Sequence, residues 1–125
     1  MQRELHMSKS GPIKDKSYAF AVALIGVIRK LQETNREFVL SKQCLRAGTS
    51  IGANVEEASA GQSRKDFIAR MAIASKEARE THYWLRLLRD SEYLERGLAQ
   101  RLLEDCDELI RLLTAIVKTS QSDAN

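Results

Sequence analysis

Apolar and polar residues alternate along most of this chain with the period of a helix. Over residues 15–34 the apolar positions 20, 24, 27 and 31, with 21, 25 and 28 beside them, form one wide face and predict a first helix. "ETNREFVL" breaks that pattern and reads as a connection in which Phe38 and Leu40 cover the end of a bundle. Ser41 is suited to cap a second helix over 41–60, and Gly61 to end it. In "GQSRKDF" Ser63 stands three residues before Asp66, close to a capping box, so a third helix starts there. Its seam, Phe67, Met71, Ala74, Ala78, Thr81, Leu85 and Leu88, advances by alternate steps of four and three, the spacing of a bundle interior.

"DSEYLERG" makes the last turn, and a fourth helix over 93–119 follows on the stripe Ala99, Leu102, Cys106, Leu109, Leu113 and Ile116. Leu98, Leu103, Ile110, Leu112 and Val117 widen that stripe beyond what one bundle core needs, which predicts that part of the helix faces another subunit. Because the connections are short, neighbouring helices should run antiparallel, giving an all-α, up-down-up-down four-helix bundle over 15–119. Residues 1–14 lack periodicity and contain a Gly-Pro pair, so they read as a loose tail, and 120–125 as a frayed one.

The second helix carries "RAGTSIGANVEEA", whose two glycines, Thr49, Ser50 and Asn54 all weaken a helix. The positions Cys44, Gly48, Ile51, Val55 and Ala58 form its seam, and most of them are small. Gly48 and Gly52 each cost about 1 kcal/mol of helix propensity relative to alanine, a loss recovered only where a neighbouring element packs closely on them. The glycines therefore predict a tight crossing. Beside the seam lies a row of Gln43, Ala47, Ser50, Asn54 and Glu57, whose polar members need partners if buried; Glu77 and Glu80 of the third helix, or a second subunit, are the expected ones. A hydrogen-bonded network fixing helix register is the reading preferred over a ligand site.

Composition agrees with one helical domain: 125 residues, one proline, six glycines, 43% hydrophobic and 30% charged. The apolar run over 18–28 is too short to cross a bilayer, and "RKLQETNRE" follows it without a small-residue cleavage pattern, so it reads as a buried helix rather than a leader. Cys44 and Cys106 lie on apolar stripes with no CxxC partner, as small buried hydrophobes in a reducing cytoplasm would. The net charge of +3 is uneven: residues 1–70 hold 12 Lys and Arg against 7 Asp and Glu, and residues 71–125 hold 8 against 10. A basic half invites an anionic partner, although scattered cations are also what a solvated helix face carries.

Catalytic chemistry finds no footing in the pattern. A di-iron bundle needs two Glu-x-x-His pairs, whereas "ETHYW" sets His82 only two residues after Glu80, so no metal or other cofactor is expected. His82 instead fits a hydrogen bond at an interface, and "EDCDE" over 104–108 fits a solvated helix face. No nucleophilic triad, phosphate-binding loop or dinucleotide fingerprint occurs, and no small-molecule substrate is evident.

The stretches "LSKQCLRAGTSIGANVEEA" over 40–58, "SRKDFIARMAIASKEARETHYWL" over 63–85 and the "LRLLRDSEYL" that continues it together make the chain similar to the 23S rRNA intervening-sequence proteins. The family's motif falls on Gln43, Arg46, Ser50, Ile51, Ala53, Asn54 and Glu57, and on Phe67, Ala74, Glu77, Glu80 and Leu85, with a residue other than glycine often standing where Gly52 does. The resemblance implies an antiparallel four-helix bundle that assembles into a ring, commonly a homopentamer, without enzymatic activity. Two roles are then open. In one, the ring presents Arg36, Lys42, Arg46, Arg64 and Lys65 to RNA or DNA; Arg64 and Lys65 oppose their own helix dipole and so are available to phosphate. In the alternative the protein is an adaptor that binds other proteins, without nucleic acid, through Tyr83, Trp84 and outer apolar residues of the third and fourth helices.

Overall fold

The computed structural model describes residues 11–61 and 63–124. Four α-helices account for most of them: α1 (Gly11–Asn35), α2 (Leu40–Ser59), α3 (Arg64–Asp90) and α4 (Arg96–Ala124), with no strand among the described residues. The helices bury the seams that periodicity marks. All seven α3 seam residues are buried, as are Cys44, Gly48, Ile51, Val55 and Ala58 of α2. On α4 the stripe from Ala99 to Leu113 is buried, while Ile116 is only partly covered.

Side-chain contacts tie each helix to the next in the chain. Between α1 and α2, Leu24 lies over Gly48, Ser17 lies over Gly52, and the Gln32 amide donates to Ser41 Oγ at 3.0 Å. Between α2 and α3, Arg46 meets Glu77 and Glu80, and Glu57 meets Arg70 at 3.3 Å. Between α3 and α4, Arg79 donates to Thr114 at 3.2 Å and the Cys106 thiol to the Ala78 carbonyl at 3.2 Å. Lys16 and Glu108, 3.2 Å apart, join α1 to α4.

The helix boundaries depart from expectation at several points. α1 starts at Gly11, not near residue 15, because Pro12 sits in the first turn, where its missing N–H is no loss, and Ile13 is fully buried. Residues 11–14 of the expected tail over 1–14 are therefore helical, and residues 1–10 lie outside the described ones. α4 continues to Ala124 rather than stopping near residue 119. Ser41 does not cap α2: it lies inside the helix, its hydroxyl donating to the Glu37 carbonyl at 2.8 Å. The cap is the Glu37 carboxylate, which accepts from the N–H groups of Val39, Leu40 and Ser41 at 2.8–3.0 Å. Burial pushes the Glu37 carboxyl upward, but these three backbone donors together hold it below its ordinary value. Gly61 is not in the left-handed conformation of a helix-ending glycine, whereas Ser63 caps α3 as expected by accepting from Asp66 N–H at 3.0 Å. Phe38 does not cover the bundle end; it is exposed, and the Arg36 guanidinium lies over its ring.

The two glycines of α2 differ. A Cβ on Gly48 would stand 2.1 Å from Leu24 Cδ2, a fully buried side chain, so α1 and α2 approach there only because the position is glycine. At Gly52 an added Cβ would meet Ser17 at 3.5 Å, ordinary contact, so the crossing does not require glycine at that point.

Candidate interaction surfaces

Three groups of residues stand out. The first joins α2 to α3. Arg46 reaches across from α2 to Glu77 at 3.4 Å and, more closely, to Glu80, and the Trp84 indole N–H donates to Glu80 at 3.0 Å. The bond from Trp84, then the Arg46 guanidinium, hold the Glu80 carboxyl below its ordinary value against the effect of burial, and Glu80 in turn raises Arg46. Ser50 and Asn54 do not bond to Glu77 or Glu80. Their side chains donate to carbonyls one turn back on α2, Ser50 to Arg46 at 2.8 Å and Asn54 to Ser50 at 2.9 Å, a local solution open to short polar side chains inside a helix. Glu57 pairs with Arg70, and Gln43 is exposed. The cation that satisfies the two α3 carboxylates is thus Arg46, which charge complementarity between the two helices could have indicated.

The second group is the set of basic residues. Arg36 sits in the connection after α1 with φ 55°, and Lys42 is exposed in the first turn of α2. Arg64 and Lys65 are exposed in the first turn of α3. The 20 residues of α2, about 30 Å of helix, separate these pairs, so they do not form one patch within a single chain. Arg46, bound by two carboxylates, is withdrawn from the set.

The third group is the outer face of α1. Tyr18, Val22 and Ile25, one helical stripe, are 68%, 55% and 42% exposed. The run over 18–28 is therefore not a buried helix in the single chain: Phe20, Leu24 and Ile28 face the core while the other side stays open. An apolar sequence on all sides of a helix is the signal for this, since such a helix belongs in an interior.

Among the described residues no group of three or more His, Cys, Asp or Glu is placed to hold a metal ion. Burial pushes the thiols of Cys44 and Cys106 up to about 12, which leaves them protonated. His82 accepts from Arg86 Nε at Nδ1 and meets Asp107 through Nε2 at 3.0 Å, a structural tie between α3 and α4. With Lys16 on Glu108, two of the four carboxylates of "EDCDE" cross-link helices instead of only facing water, contrary to expectation. No helix among the described residues is long and apolar enough to cross a membrane.

A family model described as the 23S rRNA-intervening sequence protein matches residues 10–115, nearly the whole bundle. The chain belongs to that family. Within the 23S rRNA-intervening sequence protein family the chain resembles a crystal structure from Bacteroides thetaiotaomicron VPI-5482, a protein of unknown function from the S23 ribosomal protein family. The two are 49% identical with a TM-score of 0.83, over 85% of this chain and 98% of the other. No curated protein matches. The matched span includes the Arg46–Glu80–Trp84 junction.

Proposed function

We propose that the protein is a non-catalytic scaffold: an up-down-up-down four-helix bundle that works as an assembly of its own copies, five in a ring being the number the family resemblance implies. The observation that carries this reading is the open apolar face of α1, with Tyr18 68% and Val22 55% exposed. Contiguous apolar surface of this kind marks association sites on soluble proteins. The buried free thiols Cys44 and Cys106 fit a reducing compartment, and the cytoplasm is the proposed location. Tyr18→Glu places a charge on the open face without disturbing the core, so it should reduce the assembled mass while leaving helix content by circular dichroism unchanged. Loss of helix content, or an unchanged mass, would count against the reading.

A second reading adds nucleic acid on the assembled surface. Arg36, Lys42, Arg64 and Lys65 are exposed and form no ion pair among the described residues, and assembly would repeat each of them around the ring. The family's description names an intervening sequence of 23S rRNA, which makes RNA the first nucleic acid to try. The adaptor alternative has less support, because Trp84 is half-buried and bonded to Glu80, leaving Tyr83 and Ile73 as the exposed large apolar residues of α3.

A further inference from the structure

Beside the α1 stripe runs a groove between α1 and the start of α4, about 440 Å³ in volume, whose walls include Ala23, Gly26, Val27, Tyr93 and Leu98. Gly26 is the informative residue in it. It stands in mid-helix, where glycine costs about 1 kcal/mol relative to alanine, yet an added Cβ would find nothing within 4 Å. At Gly48 the missing Cβ makes room for Leu24; at Gly26 no neighbour among the described residues uses the space. A glycine in a groove floor admits close approach by a body from outside the chain.

We infer that this body is the α1 stripe of a second copy: Tyr18, Val22 and Ile25 of one chain seat in the α1–α4 groove of the next. This rests on the self-association reading and specifies its interface. The stripe continues through Asp15 at one end and Arg29 at the other, both exposed and without an ion pair among the described residues, and so spans about 21 Å. The groove follows α1 from Val22 to Asn35, about 20 Å, with Lys30 and Glu95 on its walls. Lengths match, both surfaces are apolar along the middle, and each carries one acid and one base, so opposite charges are available to pair across the contact. Stripe and groove are neighbouring faces of α1 that meet at Val22 but otherwise use different residues, so the contact is head-to-tail: every copy offers one of each, and the chain of contacts closes as a ring when the rotation permits.

Mixing two defective chains tests this. Tyr18→Glu spoils the stripe and keeps the groove; Gly26→Glu fills the groove, its Cβ meeting nothing within 4 Å among the described residues, and leaves Tyr18 and Ile25 of the stripe in place. Each variant alone is expected to be monomeric by sedimentation velocity, with wild-type helix content by circular dichroism. Mixed in equal amounts they should form a dimer of twice the chain mass and nothing larger, since one sound stripe faces one sound groove. Ile25→Glu replaces Tyr18→Glu should the latter fold poorly. Assembled wild type with a mixture that stays monomeric, or single variants that still assemble fully, overturns the head-to-tail contact. A monomeric wild type overturns the self-association reading itself.

Discussion

At the scale of single residues, the absence of a side chain can matter as much as its presence. Gly48 and Gly52 are alike in sequence, both four-residue neighbours in a helix that should disfavour them, and both were expected to mark a tight crossing. What distinguishes them is that Gly48 lies on the α2 seam, under Leu24, while Gly52 lies beside it. Gly48→Ala should destabilise the fold by about 1–2 kcal/mol net, overpacking against Leu24 outweighing the gain in helix propensity. Gly52→Ala should be neutral or stabilising by up to about 1 kcal/mol. Urea unfolding of the two variants side by side checks the contrast, and equal effects would contradict it. Glu80 gives a pH-dependent counterpart. Its carboxyl is held below its ordinary value by Trp84 and Arg46, so its contribution is present above the unfolded-state value of about 4.3 and is lost as pH falls through the lower folded value. The stability gap between wild type and Glu80→Gln should therefore be constant near neutral pH and shrink below about pH 4; a gap that grows on acidification would contradict the assignment.

Among the elements, helices whose seams repeat strictly were legible almost residue by residue. The α3 seam is buried as its heptad steps imply, because an alternation of four and three leaves only one stripe for the core. Helix ends were less legible, since they depend on which group reaches the orphan N–H donors. Ser41 has the better cap residue type, yet Glu37, four residues earlier, folds back and satisfies three donors, which no propensity scale encodes. Glu37→Ala should accordingly cost about 1 kcal/mol, and thermal unfolding of that variant beside Ser41→Ala measures it. A Glu37→Ala protein as stable as wild type would remove the carboxylate from that role. The polar row beside the α2 seam was visible as a pattern, but its partners were not, because Ser50 and Asn54 turn back on their own helix while Arg46, counted among the free cations, bridges to α3.

For the whole molecule, the four-helix architecture could be read from spacing and connection length, and the family match agrees with it. The outer face of α1 was misread as interior because eleven consecutive apolar residues carry no information on which side the chain itself covers. On the proposed assembly, that same ambiguity marks residues whose interior is completed by a second copy. If the exposed cations act on an assembled surface, retention of an RNA probe should fall steeply as salt rises from low to physiological, with Lys42→Ala and Lys65→Ala each reducing the slope of that dependence. Retention that ignores salt would remove RNA from the account. The most direct test of the central claim is the mass of the wild-type protein in solution by light scattering, after nuclease treatment and across a range of concentrations. A stable multiple of the 14.1 kDa chain, reduced by Tyr18→Glu, is the predicted result; a 14.1 kDa particle at every concentration would contradict it.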